Sequence, residues 1–177
     1  MAGLLDDLLA LFFGKGASVS FNLGSGYDHM ATKEEKREKL KAACDEAMDA
    51  PELQPREGLT FCNRGTRRIA LAVGCEDFTE SMTANKQVAH VEANWRKVGA
   101  EEAQAHADAG GLAVAAKDYP VHGHIAVVYP TGSCGYSASW AKKVPWVANC
   151  GKRNAVMQSS QAFPVAEGEP GYYLWEA

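Results

Sequence analysis

The sequence has no surplus of positive charge: 18 Lys and Arg stand against 22 Asp and Glu, a net charge of −4. Attachment to nucleic acid or to an anionic membrane by bulk charge is therefore not expected. No apolar run is long enough to cross a bilayer, so no transmembrane segment is read anywhere. The apolar stretch Gly3 to Phe13 has no Lys or Arg before it and is broken by Asp6 and Asp7, so it lacks the basic start and unbroken centre of a secretory leader. Cysteine is sparse and unpaired in its spacing. Cys44, Cys62, Cys75, Cys134 and Cys150 are odd in number, and no two show the short separation of a zinc site or a redox pair. At least one thiol is expected to be free, and buried free cysteines are favoured over a disulfide framework.

What is present is ordinary globular composition, 46% apolar and 23% charged over 177 residues, enough for one core. Residues 1–31 read as an amphipathic arm and linker. Leu4, Leu5, Leu8, Leu9, Leu11 and Phe12 share one helical face until Gly14 and Gly16 end the pattern. The arm is expected to dock on the body or on a second copy, making a homo-oligomer, with a membrane-surface or export role as the alternative. Ser18 to Ala31 reads as linker, with His29 solvated and idle.

Residues 32–177 form the domain. Thr32 and Glu35 have capping-box spacing and open a helix over about 32–49. Pro51, Pro55 and Gly58 then mark a loop leading to Cys62, which starts a second helix that runs to Gly74 with Gly65 inside it. A glycine there costs up to ~1 kcal/mol against alanine, which points to a close approach by another element or a ligand, or to packing alone. Val88, Val91, Trp95 and Val98 predict a helix from Met82 to Val98 closed by Gly99, and a short one follows over Ala103 to Ala109. His90 and His106, on these helices, read as surface or packing residues. Leu112 to Ala116, Ile125 to Tyr129, Trp146 to Ala148 and Tyr172 to Trp175 are short apolar runs between turn signals, the pattern of strands. Helices first and strands second predict an α+β fold, N-terminal helices packed on a small, mainly antiparallel sheet.

Cys62 at a helix start gains from the positive end of the macrodipole, and an adjacent histidine can take its proton, so a thiolate nucleophile is the candidate chemistry. His122 and His124 precede the run Ile125 to Val128, and both point to one face if the strand already includes Gly123. His124 is preferred because it abuts the apolar run, with Gly123 beside it leaving room for substrate. Asn149 is the candidate to orient the imidazole, since the next strand of an antiparallel sheet passes beside His124. The Cys62 backbone N–H is the candidate oxyanion donor. Trp140, Trp146, Tyr129 and Tyr136 read as core aromatics, with a substrate groove as the alternative.

Phe61-Cys62-Asn63 opening a helix, followed by Gly123-His124-Ile125-Ala126-Val127-Val128, resembles the papain-like cysteine hydrolases that cut peptidoglycan, the CHAP domains and their relatives. Ala84-Asn85, Val88, Glu92, Trp95, Lys97, Glu102-Ala103 and Gly111 add a likeness to the family-one amidase effectors of type VI secretion. The resemblance covers Leu59 to the C-terminus. It implies a papain-like fold, Cys62 as nucleophile, His124 as general base, peptidoglycan stem peptides as substrate and neither cofactor nor metal. It further implies action in the periplasm or cell wall, reached through a secretion apparatus or, for a phage lysin, through a holin or lysis, and an immunity protein as a partner. The alternatives are a papain-like protease acting on proteins and a catalytically idle binding or assembly module of the same fold.

Overall fold

Thr32 opens the folded domain with a reciprocal cap. Its hydroxyl accepts from the Glu35 N–H at 3.2 Å, and the Glu35 carboxylate accepts from the Thr32 N–H at 2.7 Å, as its sequence spacing predicts. A computed structural model describes residues 31–163 and 165–176. The amphipathic arm and nearly all of the linker, His29 included, lie outside the described residues.

Helix α1 (Lys33–Asp49) buries Leu40, Ala43, Cys44, Ala47 and Met48, a stripe at helical spacing. Helix α2 (Cys62–Ala72) buries Cys62, Gly65, Thr66, Ile69 and Ala70, leaving Arg64 and Arg68 exposed. The reason for Gly65 is steric. A Cβ at that position would stand 2.5 Å from the Cys150 sulfur, so a strand approaches this helix more closely than any side chain permits.

Helix α3 (Ala84–Asn94) is shorter than the sequence pattern suggests. Trp95 is extended, and Arg96–Val98 form strand β1 instead of the last helical turn. The Trp95 indole N–H donates to Asp77 at 2.7 Å and its ring lies 5.4 Å from that of Phe78, while residues 96–98 pair with a C-terminal strand. Val91, Trp95 and Val98 keep a helical period by coincidence, and tertiary pairing overrides it. Helix α4 (Ala100–Asp108) follows.

The remaining strands are β2 (Ala113–Lys117), β3 (His124–Val128), β4 (Gly135–Ser137), β5 (Lys142–Val144), β6 (Trp146–Cys150), β7 (Asn154–Gln158) and β8 (Gly171–Leu174), with the short helix α5 (Ser159–Ala162) after β7. Six of the strands form one sheet in the order β1-β8-β2-β3-β6-β7, every neighbouring pair antiparallel, and β4 and β5 form a separate ribbon. The fold is thus α+β with an antiparallel sheet.

Consecutive residues Ala113 to Ala116 and Ile125 to Val128 are all buried, so both faces of the two central strands are covered. Helices α2 and α3 pack on β3, α4 on β2 and β8, and α1 on α2 and β6. A buried amide locks this packing. Gln104 Nε2 donates to the Tyr129 carbonyl at 2.9 Å and to Asp108 at 3.0 Å, and its Oε1 accepts from the Trp146 N–H at 3.0 Å. Each polar atom of the side chain is thereby satisfied.

All five cysteines are free thiols. His90 stacks edge-on against Phe78 and lies 3.3 Å from Asp77, and His106 is half-buried at the end of α4. Tyr129 is buried with its hydroxyl on Asp45 at 2.9 Å, Trp140 and Trp146 pack partly against the core, and Tyr136 is exposed. Among the described residues no helix is long and apolar enough to cross a membrane.

Candidate active site

Phe61, neither helical nor fully extended, turns the chain into α2 at Cys62. The first turn of a helix has N–H groups without helical acceptors and carries partial positive charge, so the sulfur sits where a developing anion is favoured. Cys62 is only 6% exposed, yet it lines a cleft of about 370 Å³ together with His124 and Asn149. Burial pushes the thiol above its ordinary value of 9.0, and backbone hydrogen bonds from Ile125, Asn63 and Cys62 itself oppose that shift without reversing it.

Strand β3 begins at His124, so the alternation argument that leaves His122 and His124 equivalent does not apply. His122 lies in the loop before the strand, exposed on the rim of the same cleft. The imidazole of His124 is 2.9 Å from Asn149 through Nε2. Asn149 Nδ2 donates to the Arg153 carbonyl at 2.7 Å, so its Oδ1 is the atom facing the ring. A carbonyl oxygen only accepts. In the neutral ring the proton therefore sits on Nε2, leaving Nδ1 as the free base.

Burial lowers the His124 pKa below its ordinary 6.5, and the bond to Asn149 pulls the other way. The Phe163 ring, wholly buried, lies 4.8 Å from the imidazole at an angle of 54° and gives it an apolar neighbour. Both groups thus rest uncharged, a thiol and a neutral imidazole.

The strand pairing explains how Asn149 arrives. The β3–β6 ladder holds Val127 opposite Ala148 and Val128 opposite Val147, then stops, so the side chain of Asn149 and not its backbone bridges to His124. Compared with known proteins, the chain matches no family model and no curated sequence.

One helix aligns both halves of the site, a role the sequence does not announce. Gln87 on α3 donates to the Asn63 carbonyl at 2.9 Å, and Asn63 Nδ2 donates to the Met82 carbonyl at 2.8 Å, which fixes the start of α2. Asn85 on the same helix accepts from the Gly123 N–H at 2.8 Å, and donates to the Tyr119 carbonyl at 3.2 Å and to the Asp118 carboxylate. A Cβ on Gly123 would stand 3.2 Å from the Asn85 backbone, a tight contact, so the helix behind this glycine leaves little room for a side chain. Asn85 lies in the stretch that carries the effector likeness, but nothing in its spacing marks it as a clamp.

Thr60, Tyr119, Lys152, Arg153 and Gln161 also line the cleft, whereas Trp140, Trp146, Tyr129 and Tyr136 do not. Among the described residues no group of three or more His, Cys, Asp or Glu side chains is arranged to hold a metal ion. The site can supply a sulfur nucleophile, a neutral base with a defined tautomer, and backbone donors at a helix start.

Proposed function

We propose that the protein is a papain-like cysteine amidase or endopeptidase that hydrolyses amide bonds in peptidoglycan stem peptides. The observation that carries the reading is the Asn149 carboxamide, held by Arg153 so that it fixes the His124 tautomer in the cleft that Cys62 lines. The stem-peptide substrate is supported by the sequence resemblance alone.

His124 Nδ1 takes the proton of Cys62 as the sulfur attacks the scissile carbonyl carbon, and a C–S bond forms. The resulting oxyanion is met by the Cys62 backbone N–H. Collapse breaks the C–N bond, and the imidazolium returns its proton to the leaving amine. Water, deprotonated by His124, then attacks the thioester and the sulfur leaves with a proton. No cofactor enters the sequence. An immunity protein that plugs the cleft is the partner this reading implies, with the periplasm or cell wall as the place of action, reached by a secretion apparatus or by phage lysis.

A catalytically idle module of this fold is the second reading, favoured by the near-complete burial of Cys62 and its raised pKa. A papain-like protease acting on proteins would use the same residues. Purified cell-wall fragments incubated with wild type and with Cys62→Ala, followed by mass spectrometry, separate the first reading from the other two. New amide cleavage by wild type only is expected and identifies the bond; equal product profiles would reject the peptidoglycan amidase. Iodoacetamide should modify Cys62 ahead of the fully buried Cys44, more slowly after His124→Ala.

A further inference from the structure

The charge of the cleft is opposite to that of the chain. The protein carries a net charge of −4, yet among the described residues neither Asp nor Glu lines the cleft, and Lys152 and Arg153 do. Both cations stand on the three-residue turn between β6 and β7, closed by the pairing of Cys150 with Asn154. The turn is held at both ends. The Arg153 carbonyl accepts from Asn149 at 2.7 Å, and Asn154 Nδ2 donates to the Leu53 and Met48 carbonyls at 3.0 and 3.3 Å. Neither the Lys152 ammonium nor the Arg153 guanidinium forms an ion pair or a hydrogen bond with another described residue.

We infer that this turn is an anion subsite and that the substrate presents a free carboxylate to Lys152 and Arg153 beside the bond to be cut. The inference rests on the hydrolase reading and names the substrate class for it. A guanidinium matches a carboxylate through two parallel N–H donors, and the neighbouring ammonium adds a point charge. Because the Arg153 backbone also orients Asn149, the segment that receives the carboxylate is the one that sets the base. Binding energy gathered at a charge that does not itself react orients the amide over Cys62.

The test uses full-length Cys62→Ala protein, so that binding is read without turnover. Muropeptides from a digested cell wall are compared with the same material after its free carboxylates have been converted to carboxamides, by isothermal titration calorimetry. The native form is expected to bind about tenfold tighter, with affinity falling as salt rises. Adding Lys152→Gln and Arg153→Gln should lower affinity for the native form about tenfold and abolish the discrimination, without a change in thermal midpoint. Equal binding of the two forms, discrimination that survives in the double variant, or no measurable binding of either form would overturn the inference. Wild-type turnover is scored separately. If Cys62→Ala discriminates as expected but wild type cleaves nothing, the hydrolase reading fails and the anion subsite stands; if wild type cleaves both forms alike, the subsite fails and the hydrolase stands.

Discussion

At Asn149 a single side chain decides which nitrogen of another carries a proton. Replacing it by alanine removes the acceptor on His124 Nε2 and frees the ring to rotate or to change tautomer, so kcat/KM should fall about 10- to 100-fold. The pH profile carries the more specific signature. In the proposed mechanism the base is active only when neutral, so burial should place the wild-type acid limb below pH 6.5; the Asn149 bond raises the His124 pKa, so its loss should move that limb to still lower pH. A limb that stays in place or moves up would show that Asn149 acts elsewhere. Cys62, His124 and Asn149 were all legible in the sequence, the first two from a helix start and a strand start, the third from the adjacency of antiparallel strands. Phe163 and Asn85 were not, because each acts through contacts between segments far apart in the chain and has no period or spacing to mark it; Gly151 to Asn154 reads as a turn between strands, but nothing in its sequence places Lys152 and Arg153 on the cleft.

Helices α1, α2 and α4 follow their apolar stripes closely, whereas the strands divide into two groups. Those buried on both faces, β2, β3 and β6, and the apolar β8 read as apolar runs, while β1, β4 and β5 have three residues each and β7 is only half-buried, too short or too polar to alternate visibly. The contact between α2 and β6 can be tested directly. Gly65→Ala would gain up to ~1 kcal/mol in helix propensity but drives a methyl group into Cys150 Sγ and Cβ, an overpacking worth about 1–3 kcal/mol, so a net loss of up to about 2 kcal/mol is expected in urea unfolding. Cys150→Gly removes both clashing atoms but empties core volume of its own, so Gly65→Ala should cost less in the Cys150→Gly background than in wild type. An equal cost in both backgrounds would place the cause outside this contact.

Across the whole molecule, buried titratable groups confine stability to a window of pH. His124 and His106 are held below 6.5 by burial, so the unfolded chain binds more protons than the folded one beneath that value, and stability present above pH 6.5 is lost as pH falls towards the depressed values. Thiols give the opposite edge. Cys62 and Cys44 are raised, Cys75 to about 11 and Cys150 to about 12, so stability present below pH 9 is lost as pH rises and the unfolded thiols ionise first. Urea midpoints across this range should form a plateau with both shoulders, and His124→Gln should soften the acid one. The chain order of the site carries one further consequence. The sulfur precedes α3 and the imidazole follows it, so a protease nick in the segment between α2 and α3 leaves two pieces, neither of which contains the full set of groups the proposed chemistry needs, and that chemistry would return only on their reassociation.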